Sequence, residues 1–400
     1  MSALLTAVSA PASAGAPDLP PLTIRGRSVL PIVQGGMGVG ISAHRLAGAV
    51  AGAGGVGTIS SVDLRRHHPD LMAQSRNGDK ATVDAANLAA LDREIRAAKS
   101  LAAGLGMVAV NVMRAVSEYA AYVRQSCASG ADAIVVGAGL PLDLPELAAE
   151  HPDVALIPIL SDARGIALVV RKWARKGRLP DAVVIEHPRY AGGHLGAAKI
   201  EDLTDPRFDF ERVLPETQAF FRAEGIADGA IPLIPAGGIN THERVCELMS
   251  LGAAAVQVGT AFAVTEEGDA DIAFKRVLAG AQPEDIVEFM SVAGLPARAV
   301  RTPWLDSYLK HLPKLTAAAR KKPRCALKFE CLIQCGLRDG VAKIGQFCID
   351  MQLAAALRGD VAKGLFFRGA SALPFGSEIR PVRELIAYLL TGARPAPAMA

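Results

Sequence analysis

The chain has 400 residues, 43 of them basic and 40 acidic, for a net charge of +3, and half of it is hydrophobic. So small a charge excess gives no nucleic-acid footprint, and apolar runs such as residues 133–142 are too short and glycine-rich to span a membrane. Few aromatics against abundant Ala, Val, Leu and Gly argue against an all-β sandwich.

In chain order, residues 1–20 are Ala, Ser, Pro and Gly without a basic n-region, which predicts a disordered leader and not a signal peptide. A cytoplasmic location follows as the expectation, with six cysteines that form no structural disulfides. Short apolar runs at 29–34, 55–60, 107–112, 133–136, 154–160, 182–185, 231–235 and 255–258 predict strands. Amphipathic stretches at 42–51, 84–102, 117–127, 162–176, 210–224 and 242–249 predict helices, with Ser42, Asp84 and Asp162 as N-caps. Eight strand–helix repeats over about 250 residues predict an α/β fold, a (β/α)₈ TIM barrel over 21–285. Polar insertions at 63–83 and 187–212 leave the C-terminal ends of strands, the face where barrels elaborate loops for chemistry. Beyond 285 the repeat stops. Residues 286–323 read as irregular, 325–358 as one or two helices and 378–390 as a last helix. A mainly helical C-terminal appendage over 286–392 and a tail at 393–400 are expected.

Three glycine-rich turns stand at strand ends: Gln34-Gly35-Gly36-Met37-Gly38-Val39-Gly40, Ala236-Gly237-Gly238-Ile239 and Gly259-Thr260. Glycine lets backbone N–H groups approach a ligand closely. Turns after strands 7 and 8 of a barrel commonly hold phosphate, so Gly237, Gly238, Gly259 and Thr260 are candidates for a phosphorylated cofactor. The first turn lacks the full glycine spacing and the acidic partner of a dinucleotide fingerprint. After strand 6, His194 stands among glycines in Tyr190-Ala191-Gly192-Gly193-His194-Leu195-Gly196. An imidazole at a barrel mouth can take a proton from carbon.

These four motifs, QGGMG, AGGHLG, IPAGGI and VQVGTAF, resemble those of the nitronate monooxygenase (2-nitropropane dioxygenase) family over residues 22–280. The resemblance implies an FMN-dependent barrel, related to an enoyl-acyl-carrier-protein reductase and NAD(P)H:quinone reductases. It places Gly36, Met37 and Gly38 against the flavin ring and Asn111 by the isoalloxazine or ribityl chain. Gly193 and His194 lie beside the flavin, His194 as the base, and the phosphate rests on Gly237, Gly238, Gly259 and Thr260. Two positions depart from the family. Tyr190 stands where Glu often precedes Ala-Gly-Gly-His, and Leu160-Ser161 occupies the end of strand 5, where a lysine is common. The implied activity is oxidation of alkyl nitronates with O₂. NAD(P)H-dependent reduction of quinones or enoyl thioesters, and a non-catalytic phospholigand-binding barrel, stand as alternatives. The expected partner is a small-molecule substrate, with NAD(P)H and a homo-oligomer left open.

Cys325, Cys331, Cys335 and Cys348 fall within 24 residues. Their spacing fits either an iron–sulfur cluster or zinc, or thiols packed as small apolar residues. Cys127 and Cys246 read as buried helix residues. Arg320-Lys321-Lys322 with Arg324 reads as a solvated basic face, and Phe366 and Phe367 as seals of the appendage core.

Overall fold

The computed structural model describes residues 19–320, 325 and 331–396. Most of the expected leader, the end of the tail, and Lys321, Lys322 and Arg324 lie outside these residues. Strands β1 (Leu22–Ile24) and β2 (Arg27–Val29) form a hairpin. There follow β3 (Ile32–Gln34), β4 (Val56–Ser60), β5 (Met107–Met113), β6 (Ala133–Gly137), β7 (Ala155–Leu160) and β8 (Val183–Glu186). Next come β9 (Gly193–His194), β10 (Leu233–Ala236), β11 (Val256–Val258), β12 (Ile286–Met290) and β13 (Pro296–Val300). Strands β3–β8, β10 and β11 close into a barrel in chain order, with β11 pairing back onto β3. Each matches one of the eight predicted runs.

The period of two along each strand decides what faces the barrel axis. In β5, Val108, Val110 and Val112 pack outward against the helices, while Met107 and Ala109 fill the barrel interior. Asn111 continues that inward row at the C-terminal end. In β8, Val183 and Ile185 face outward and Val184 inward, so Glu186 ends the inward row beside Ala236 of β10. Leu22 and Ile24 of the hairpin join the interior cluster and cover its other end.

Helix starts differ from expectation at two caps. Asp162 caps its helix, accepting from the Gly165 N–H at 2.7 Å. Helix Lys80–Ala102 begins a turn earlier than predicted, because Asp79 and not Asp84 accepts from the Thr82 N–H. At helix His44–Gly52, Asp269 brings a carboxylate from 226 positions away to the Ala43 N–H, and it also accepts from Arg45 and Leu46. Ser42 therefore does not cap this helix. Its Oγ accepts the Met37 N–H at 2.9 Å and braces the first glycine turn.

The region expected to be irregular, 286–323, holds the antiparallel pair β12–β13 and helix Pro303–Ala318. Helices Ile349–Leu357 and Val382–Thr391 follow. Strand β13 also pairs with β9, Ala297 opposite His194 and Arg298 opposite Gly193. Arg298 is almost fully buried. Its guanidinium donates to the Pro188 and Ala191 carbonyls, and it pairs with Glu288. Phe366 is fully buried and stacks on Phe274 at 5.5 Å. Phe366→Ala is expected to cost about 3–5 kcal/mol, read as a lowered urea midpoint; a loss under about 1 kcal/mol would mean that this joint adds little stability.

Candidate active site

A cavity of about 340 Å³ opens at the C-terminal ends of the barrel strands. Gly36, Met37, Gly38, Asn111, Gly193, His194, Gly237, Gly238, Gly259 and Thr260 all line it. Residues so far apart in the chain meet there because each sits at or just beyond the C-terminal end of a strand.

Four of these glycines have little room for a side chain. A Cβ on Gly36 would lie 2.3 Å from the Asn111 Cβ, and one on Gly38 would lie 2.9 Å from the Ser60 Oγ. Gly237 and Gly238 have φ of +101° and +76°, in the left-handed region. A Cβ on Gly238 would also press on the Tyr190 ring at 2.9 Å. Tyr190, in place of the family's acidic residue, thus forms the floor of the strand-7 turn. Ser161, in place of the lysine, fills the space beside Gly196. The Thr260 Oγ1 accepts the Gly369 N–H at 3.0 Å, and the Tyr190 carbonyl accepts from Ala370 at 3.1 Å. The appendage is thereby laid across the strand-7 and strand-8 turns.

His194 is partly buried on β9. Its Nε2 lies 2.7 Å from the Ser291 Oγ, and Ser291 is fully buried. The Phe367 ring stands 5.7 Å from the imidazole. Burial pulls the imidazole down to about 4, so it is neutral at neutral pH. Glu186 moves the other way: burial pushes its carboxyl up to about 7, against the opposing charge of Arg298. One cavity therefore holds a neutral base and a carboxyl that titrates near neutrality.

Sequence reasoning missed Glu186, Ser291 and Phe367 as site residues. The inward register of β8 could have flagged Glu186. Ser291 carries no local signal. Phe367 was expected in the appendage core, but it lines the cavity while Phe366 alone faces that core.

Of the two cysteine readings, the metal one gains no support from the structure. Among the described residues, no group of three or more His, Cys, Asp or Glu side chains is placed to hold a metal ion. Cys331 lines the cavity, but Cys325, Cys335 and Cys348 do not. Burial, aided by nearby acidic groups, pushes the Cys331 thiol up to about 12 and that of Cys348 up to about 11. Cys335 lies in the hydrophobic core and Cys331 packs against it. Cys127 is buried as expected, whereas Cys246 is partly exposed, its Sγ 3.3 Å from the His242 Nε2.

Fold and cavity define a (β/α)₈ barrel with a glycine-lined cavity at its mouth and a partly buried histidine. The nitronate monooxygenase family model matches residues 24–392. The chain belongs to that family. It is 31% identical to the nitronate monooxygenase of Pseudomonas aeruginosa over 122 residues, 30% of this chain and 31% of that protein. The chain spans between 31% and 40% of the length of the curated relatives it matches. Two solved structures share the fold. FabK from Thermotoga maritima has a TM-score of 0.61 at 22% identity, covering 90% of this chain and 91% of that one. Nitroalkane oxidase from Streptomyces ansochromogenes has a TM-score of 0.61 at 19% identity, covering 90% and 94%. No helix among the described residues is long and apolar enough to cross a membrane.

Proposed function

We propose that this chain is an FMN-dependent oxidoreductase that oxidises alkyl nitronates with O₂. The observation that carries this reading is His194: neutral, anchored on Ser291, and facing a cavity whose Gly36, Gly38, Gly237 and Gly238 leave little room for side chains. The donor set fits the cofactor. Backbone at Gly237, Gly238 and Gly259, with the Thr260 hydroxyl, suits a phosphate, and the Gly36–Gly38 turn, packed beside Asn111, forms a wall of the same cavity against which a flat ring would lie. Bound flavin supplies the electron transfer that no side chain here can perform.

The chain's own groups position the substrate, move its proton and exclude water. Ser291 holds the His194 ring in one orientation through Nε2, leaving Nδ1 to act. A nitronate is already a carbanion, so His194 orients it; a neutral nitroalkane loses its α-proton to His194. Phe367 and the packed Gly192–Gly193 backbone shield the imidazole from water.

The test is a visible spectrum of the purified protein, followed by oxygen uptake with propionate 3-nitronate in the absence of NADH. A flavin spectrum with oxygen consumption supports the reading. Colourless protein overturns it. A flavin that NADH bleaches anaerobically, with no nitronate-dependent uptake, gives the reductase reading instead.

A further inference from the structure

The cavity does not stop at the histidine. It runs between the barrel and the appendage to a second, polar end lined by Asp63, Asp84, Asn87, Glu118, Tyr122 and Asp350. Asp84 and Asn87 lie three residues apart on helix Lys80–Ala102 and so share one face. Asp350 reaches in from helix Ile349–Leu357. Val116, Leu332 and Leu353 make part of the wall apolar.

Asn87 is only 6% exposed, and its Oδ1 has no hydrogen-bond partner. An amide oxygen left so has lost its water without a replacement, and a ligand able to donate a hydrogen bond to it would supply one. Around it, among the described residues, carboxylates outnumber cations. Lys80 Nζ contacts Asp84 at 2.5 Å and also Glu118. Arg66 bridges Asp63 and Asp350, each at 2.5 Å, and Arg65 reaches Asp63 at 2.6 Å. Asp63, Asp84, Glu118 and Asp350 thus face Arg65, Arg66 and Lys80, with one negative charge in excess once all four are ionised. Burial and then the neighbouring Asp63 push Asp350 up to about 7, and burial, with the Glu118 charge adding to it, raises Asp84.

We propose that this end of the cavity is a substrate subsite for a primary ammonium group carried on a short aliphatic chain. An ammonium brings a compact positive charge and three donors, which matches an unpartnered amide oxygen among surplus carboxylates. The apolar wall takes the methylenes. The identity of the reacting end rests on the function proposed above; the subsite does not.

The experiment is calorimetric titration of the purified full-length protein, in the form in which it is isolated, with n-butylammonium, n-butanol and butyrate. Butylammonium is expected to bind about tenfold tighter than butanol or more, with butyrate weakest. Asn87→Ala and Glu118→Gln are each expected to remove most of that preference. Glu118 is 31% exposed at its side chain and glutamine keeps its shape, so this variant folds and only evens the charge balance. Equal affinities, a preference for butyrate, or an unchanged preference in Glu118→Gln overturns the subsite. Turnover separates the two inferences. The nitronate of 4-amino-1-nitrobutane should exceed that of 1-nitrobutane about tenfold in kcat/KM. If neither consumes oxygen while butylammonium still binds, the reaction is wrong and the subsite stands. If both react equally and butylammonium shows no preference, the subsite is wrong and the reaction stands.

Discussion

The His194→Ala variant is expected to purify with its flavin and to turn over a neutral nitroalkane roughly 10²- to 10⁴-fold more slowly. Its fold should survive, since the β9–β13 pairing runs through backbone groups that alanine retains. What goes is the ring and its hydrogen bond to Ser291. A preformed nitronate needs no proton removed, so its rate should fall less than that of the parent nitroalkane, and oxygen uptake on the matched pair reads this directly. The acid limb follows from the same burial. The base form is the neutral imidazole and its pKa is lowered to about 4, so proton abstraction should hold level as pH falls to about 5 and decline only nearer 4. An ordinary exposed histidine would lose the base form nearer about 6.5. A variant that keeps the parent rate would move the proton chemistry to Glu186, whose buried carboxyl is raised towards neutrality in the same cavity.

Gly238→Asp is expected to give folded but colourless protein. Three costs coincide there. The left-handed backbone at φ +76° disfavours any side chain by about 1–3 kcal/mol. The new Cβ meets the Tyr190 ring at 2.9 Å. The carboxylate also repels a phosphate. Together these should weaken FMN binding about a hundredfold or more, measured by fluorescence titration of the apoprotein. Gly238→Ala keeps the first two costs without the charge and should fall between. If the aspartate variant purifies with a full complement of flavin, the phosphate lies elsewhere.

The barrel is legible in the sequence because its signal is local and repeated. Eight β-branched runs, most of them followed by Gly, Asn, Ser or Pro, mark strands that the structure moves by only a few residues. The glycine turns are legible for the same reason, since a left-handed or close-packed position leaves its mark at one residue. Partners brought from far along the chain are not. Asp269 supplies the carboxylate at the start of helix His44–Gly52, so no nearby residue betrays it, and Ser42 looks like the cap without being it. Ser291 lies 97 positions from the imidazole it orients. The cysteines are ambiguous for another reason: four thiols close along the chain read either as a ligand set or as packed apolar groups, and spacing alone does not choose between them.

The sheet that carries His194 has a consequence for how an active molecule comes into being. Strand β9 is only two residues long and its strand partner is β13, whose residues are translated about a hundred positions later. A ribosome that has released residues through β11 has made every barrel strand and all the glycine turns, yet the imidazole still has neither its strand nor Ser291. The glycine turns are therefore complete in the chain well before the imidazole can be oriented. Grafting the Ala-Gly-Gly-His loop onto another barrel would fail for the same reason unless β12 and β13 travelled with it.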